Sequence, residues 1–135
     1  MDELELRIQQ LEADLALLQS NTGNIRFVAG CLRLPNPGCD WVALDDAGHK
    51  PLNIVDVVCV SNRVNIYYGF TAKRVLSLVA VPDEYYTQMG VSCGASVGLS
   101  SASIYFNRRP DTGYCDPMTL RSNNANVWVF GIFEV

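Results

Sequence analysis

Any histidine chemistry in this chain rests on one side chain, because His49 is the only histidine in 135 residues. It lies in Asp45-Asp46-Ala47-Gly48-His49-Lys50-Pro51, a turn-like stretch without a Gly-x-Ser-x-Gly elbow. Pairing with Cys39 or Cys59 would give a Cys–His nucleophile, but a solvent-exposed loop histidine is the simpler expectation. Asp45-Asp46 and Asp83-Glu84 have the residue types of a glycosidase acid and base. Adjacent side chains in a strand point to opposite faces, so both pairs are read as solvated turns. The five cysteines, at 31, 39, 59, 93 and 115, contain no Cys-x-x-Cys, which argues against zinc. Their odd number fits a reducing compartment, where thiols act as small buried apolar groups. The spacing leaves Cys31–Cys39 and Cys93–Cys115 cross-links open, because spacing does not fix disulfide geometry. Gly90–Gly98 is glycine-rich but lacks the lysine of a phosphate loop, and is read as close backbone packing or a flexible loop. The expectation is a non-enzymatic chain with no metal and no cofactor.

Binding is better supported by residue type. Tyr and Trp combine an apolar face with a polar tip, which suits sugar rings or protein surfaces. Near turns they occur as Trp41, Tyr67, Tyr68, Tyr85, Tyr86 and Tyr114. The 108–124 stretch adds Arg108, Arg109, Asp111, Asp116, Arg121, Asn123 and Asn124. Trp41, Tyr85, Tyr86, Arg108, Arg109 and Tyr114 are the candidate receptor-binding residues. The alternative is that the aromatics are core and the polar loops merely solvated.

The elements that position these residues fall into two regimes. Residues 1–23 carry Asp2, Glu3, Glu5, Glu12 and Asp14 against Arg7 alone, and contain no Cys, aromatic or Pro. Apolar residues at Met1, Leu4, Ile8, Leu11, Leu15 and Leu18 alternate steps of three and four, the heptad spacing of a coiled coil. Arg7-Ile8-Gln9-Gln10-Leu11-Glu12 matches the Arg-h-x-x-h-Glu pattern (h apolar) of trimeric coils. There Arg7 of one helix pairs with Glu12 of the next while its stem covers the seam. Ile at a with Leu at d also suits a two-stranded coil, and a solitary amphipathic helix packed on its own domain is the third reading. Asn21 and Gly23 are the expected terminators. About three heptads are marginal alone, so the coil should register a body that itself assembles.

That body, residues 24–135, balances nine acids with nine bases and reads as β. Strands are predicted over 24–34, 40–44, 54–61, 63–68, 73–81, 95–99, 101–107 and 126–135, with turns at 35–38, 45–48 and 61–62 and loops over 108–124. The last strand, Val127-Trp128-Val129-Phe130-Gly131-Ile132-Phe133-Glu134-Val135, is apolar on both faces, as a strand covered on both sides would be. Trp128, Phe130 and Ile132 are therefore expected to join the coil residues in trimerisation. The bland alternative is a central strand covered by loops. Ile54–Val60 shares this character.

The overall charge is −4, so a nucleic-acid partner is not expected. No apolar run reaches the length of a membrane span, and the acidic, amphipathic start is unlike a secretory leader. A short N-terminal coiled coil before a compact β head resembles trimeric bacteriophage tail-fibre, minor tail and receptor-binding proteins. Val129-Phe130-Gly131-Ile132 is also similar to the final strand of tumour-necrosis-factor-like jelly-roll trimers. The resemblance implies a mainly β fold, a trimeric coil over residues 1–22 and a jelly-roll-like β-sandwich head over 23–135. It implies a virion protein assembled in host cytoplasm, partnered by other virion proteins and a host-surface glycan or protein. A capsid decoration or head-fibre protein, a non-viral jelly-roll ligand-binding module and a small glycan-cleaving enzyme are the alternatives.

Overall fold

The computed structural model describes residues 2–35 and 40–135, without the side chains of residues 15–23. Met1, Cys39 and most of the 35–38 turn therefore lie outside the described residues, as do the side chains of Leu15 and Leu18.

Helix α1 runs Glu3–Gly23, passing Asn21. It starts where Asp2 Oδ1 accepts from the Glu5 N–H at 2.8 Å, an N-cap that satisfies one of the orphan donors of the first turn. Leu4, Leu6, Ile8 and Leu11 are exposed. Of the seam, Leu4, Ile8 and Leu11 are thus largely in solvent, with Leu6 beside them. A helix of this length extends ~30 Å at 1.5 Å per residue.

Eight strands follow: β1 (Ile25–Arg33), β2 (Val42–Ala43), β3 (Ile54–Val60), β4 (Arg63–Tyr68), β5 (Arg74–Pro82), β6 (Val91–Val97), β7 (Ser101–Arg108) and β8 (Val127–Glu134), with a short helix α2 (Glu84–Gln88) between β5 and β6. They form two four-stranded antiparallel sheets, ordered β2-β1-β8-β5 and β3-β4-β7-β6. The chain is thus mainly β, an N-terminal helix followed by a β-sandwich.

Period-two alternation explains the core. Val28, Leu32, Val127, Val129 and Phe133 point inward from the first sheet, and Val64, Ile66, Ala102, Ile104 and Phe106 from the second. Aromatic contacts fill the interior: Trp41 stacks on Phe106 at 5.2 Å and Tyr68 meets Phe133 at 4.7 Å. Gly131 keeps room for this packing, since a Cβ there would lie 2.7 Å from the Phe133 ring and 3.0 Å from Leu78 Cδ1.

Three sequence expectations change. The glycine-rich 90–98 stretch is largely strand β6, with Val91 buried and Cys93 and Val97 half-buried beside Phe106 and Ala102 of β7. Asp83-Glu84 opens α2: Asp83 caps it through the Tyr86 N–H at 3.2 Å and also accepts from the Asn126 N–H at 2.8 Å. The 108–124 stretch contains a 3-10 turn, Pro117–Leu120, that buries Pro117 and Leu120. Cys31, Cys59, Cys93 and Cys115 are free thiols, so Cys93 and Cys115 are not joined. Burial pushes Cys31 and Cys93 up to about 11.

Candidate functional site: the outward face of the first sheet

The strand register aligns outward residues of β1, β8 and β5. Antiparallel partners share a face, so Phe27–Ile132–Ser77, Ala29–Phe130–Val79 and Cys31–Trp128–Val81 form three successive rungs across β1, β8 and β5. Phe27, Val79, Val81, Trp128 and Phe130 are each between 44% and 52% exposed. Phe27 and Phe130 rings lie 6.1 Å apart, making one continuous apolar surface rather than scattered side chains. Ser77 alone among these nine residues is polar.

Charge appears only at the ends of the strip. Toward α1, Arg74 and Glu134 pair at 2.6 Å. Beyond Trp128, Arg33 Nε donates to Asn126 Oδ1 at 2.6 Å. The five half-exposed side chains present roughly 400 Å² of apolar area, within the range of the largest patch on a typical monomer. Covering it would contribute on the order of 10 kcal/mol gross, comparable with the roughly 4–15 kcal/mol cost of association. Burial of this face alone would therefore leave an assembly marginal.

Helix α1 is attached directly to this sheet. A single residue, Asn24, separates α1 from β1, and its carbonyl accepts from the Val135 N–H at 2.8 Å. The helix exit is thereby tied to both β1 and β8, the strands that carry Phe27, Trp128 and Phe130. Arg7 meanwhile bonds Glu3 of its own helix at 3.1 Å, both side chains well exposed. Such a pair is worth only about 0.3–0.5 kcal/mol, so little holds Arg7 to Glu3. Glu12 is exposed one and a half turns further on.

His49 borders this face. The 46–49 turn closes on itself by paired backbone bonds, 2.9 Å from the Asp46 N–H to the His49 carbonyl and 3.2 Å in return. The imidazole lies 2.9 Å from Asp46 Oδ1 and 5.6 Å from the Trp128 ring. The hydrogen bond from His49 holds the Asp46 carboxyl below the usual carboxylate range, aided by the Gly48 N–H. Asp45 takes Lys50 instead, at 3.0 Å, so the adjacent carboxylates engage different partners. A cleft of about 270 Å³ between β2 and β3 is lined mainly by Trp41, Ala43, Pro51, Ile54 and Val57, with Asp45 and Asp56. Among the described residues no cluster of three His, Cys, Asp or Glu could hold a metal ion.

The predicted receptor-binding residues separate. Trp41 is 1% exposed and its Nε1–H donates to the Pro117 carbonyl at 3.3 Å. Tyr86 is fully buried, its hydroxyl donating to the Leu120 carbonyl at 2.7 Å and its pKa raised by burial. Both are core residues, placed inward by stacking and by α2, and neither presents a face to a receptor. Tyr85 and Arg109 are exposed and Arg108 is half-buried, while Tyr114 is 64% exposed. Of these, Tyr114 lies against a second aromatic, Tyr105, which sequence reading did not single out.

Comparison of the chain with protein-family models, curated proteins and solved structures gives no match.

Proposed function

We propose that this chain is a non-enzymatic homotrimeric structural protein of a bacteriophage virion, a tail or fibre component that acts in adsorption to the host surface. The observation that carries the trimeric part is the pairing of two apolar surfaces. An exposed heptad helix leads, through one residue, into a sheet whose outward face is an apolar strip. Residues 1–22 form the coil, with Met1, Leu4, Ile8, Leu11, Leu15 and Leu18 in its seam and Arg7 and Glu12 selecting three strands. Trp128, Phe130 and Ile132, joined by Phe27, Val79 and Val81, form the contact between heads over residues 23–135. The jelly-roll description is supported by the pairing of the first long strand with the last and by the chain's repeated passage between sheets.

Placement in a virion rests on the coil-plus-head plan, an inference from architecture rather than from chemistry. Trimerisation multiplies weak contacts when three sites engage one surface together, which is the economy an adsorption protein needs. The test is competition. Purified protein is expected to block adsorption of virions that carry it and to leave capsids unbound. Capsid binding without an adsorption block would replace this reading with capsid decoration.

A further inference from the structure

We propose that the outward face of the second sheet is a binding site for a carboxylate-bearing saccharide, with Arg63 as the anion-recognising residue and Tyr105 and Tyr114 as its aromatic wall. The strand register places Val60, Arg63, Tyr105 and Gly94 on one rung and Val58, Asn65, Ser103 and Ser96 on the next. Asp56, Tyr67 and Ser101 close one end, and Asn107 with Ser92 the other. Tyr, Ser, Asn and Gly dominate, the composition of surfaces that combine rigid aromatic contact with adaptable hydrogen bonding.

Three features give this face a ligand chemistry. The first is charge. Among the described residues Arg63 has no carboxylate partner: its one contact is Nη1 to the Tyr105 hydroxyl at 3.5 Å, and its Nε is buried without a hydrogen-bond acceptor. The buried Nε is beyond the reach of an outside ligand, but the half-buried guanidinium carries no counter-charge among the described residues, and a carboxylate at its terminal nitrogens would supply one. Asp56, the one acid on these rungs, sits four residues along β4 from Arg63's position, ~13 Å away at 3.3 Å per residue. The second feature is space. A Cβ built on Gly94 would meet nothing within 4 Å, so the rung beside Tyr105 is open.

The third is a held aromatic pair. Asn107 donates to the carbonyls of Asp111 and Gly113 at 3.0 and 2.7 Å, and the Cys115 N–H returns to the Phe106 carbonyl at 2.9 Å. These bonds fold the 108–115 loop back on β7 and set Tyr114 4.8 Å from Tyr105, ring centre to ring centre. Next to them the Ser103 hydroxyl donates to Asn65 Oδ1 at 2.7 Å. Both amide N–H donors of Asn65 are left without a partner among the described residues, available for sugar hydroxyls. An arginine for the carboxylate, an amide for hydroxyls and Tyr rings for the apolar face of a pyranose are the groups an acidic sugar requires.

This names the chemical class of the surface partner in the adsorption reading, and rests on that reading only for the biological source of the saccharide. The test is a glycan array carrying neutral, phosphorylated and carboxylated (sialic and uronic acid) saccharides, probed with the full chain whose mass is measured in the same sample. Carboxylated saccharides are expected to bind and neutral ones not. Arg63→Gln is expected to weaken binding tenfold or more, the scale of a lost charge-assisted bond, and Arg63→Lys to weaken it less. Tyr105→Ala and Tyr114→Ala weaken it without restoring neutral-sugar binding, whereas Lys50→Gln, which removes a cation elsewhere, leaves it unchanged. Circular dichroism verifies that each variant is folded. Equal binding of neutral saccharides, binding of phosphorylated ones alone, no binding, or unchanged binding by a folded Arg63→Gln chain would overturn the site. A monomer that still binds through Arg63 would remove the trimeric reading and keep the site; a trimer that binds no acidic saccharide would do the reverse.

Discussion

The two outward faces of this sandwich are built by the same rule and end in opposite chemistries. On both sheets every second residue feeds a common core, and inward positions are Val, Ile, Leu, Ala, Cys and aromatics alike. Outward, the first sheet carries Phe27, Trp128, Phe130, Val79 and Val81, while the second carries Arg63, Asn65, Ser96, Ser101, Ser103 and Asn107. An antiparallel sheet ordinarily keeps one face in water. The second sheet follows that pattern and the first departs from it. The apolar departure is assigned to assembly and the polar face to recognition.

The largest expected effect breaks the first half of the comparison. Trp128→Glu combined with Phe130→Glu puts two carboxylates into the apolar strip, costing several kcal/mol if the strip is covered. The assembly is then expected to dissociate, and melting to become independent of concentration. Ser96→Glu combined with Ser103→Glu, the same charge on the other sheet, should leave the mass unchanged. Loss of assembly from the second pair, or its retention in the first, would break the assignment of faces.

Gly131→Ala comes next. The new methyl would crowd the Phe133 ring and Leu78 and shift the strand that presents Trp128 and Phe130. A loss of about 1–3 kcal/mol is expected in chemical denaturation. Alkaline titration gives a smaller effect. Cys31 and Cys93 keep their protons to about 11 when folded, against an ordinary 9.0. The unfolded chain therefore loses these protons first. The stability they contribute is complete below about pH 9 and declines as pH rises toward 11. A denaturation series flat across that interval in the wild type, or equally steep after Cys31→Ala with Cys93→Ala, would contradict the burial of these thiols. The smallest effect sharpens the polar half: Ser96→Ala should change stability by no more than about 0.5 kcal/mol, as a residue outside any packed contact would.

Sequence periodicity exposed much of this arrangement and missed parts for identifiable reasons. The alternation Val64, Ile66 and Tyr68 against Arg63, Asn65 and Tyr67 defines β4 directly, and Val127 through Phe133 shows an apolar strand with an unneeded second face. Only the end of strand β6 was legible, as the strand predicted over 95–99, because Ser92, Gly94 and Ser96 dilute the alternate series Val91, Cys93, Ala95 and Val97 with residues of low strand preference. Tyr86 read as a surface aromatic because the capping role of Asp83, the N-terminal signal of α2, resembles a solvated turn. Trp41 lies beside the 36–39 stretch and gave no periodicity of its own. The Arg63–Tyr105 pair was invisible because 42 positions separate its members and only the β4–β7 register brings them together. Ser, Asn and Tyr on a wet face look like ordinary solvated residues until the neighbouring strands are known.

The central claim is that the apolar strip and the helix seam are covered by other copies of the chain. The direct measurement is the mass of the full chain in solution at micromolar concentration, by light scattering or sedimentation. The account predicts three times the 14.9 kDa of one chain. A mass of one chain, unchanged on concentration, would contradict it.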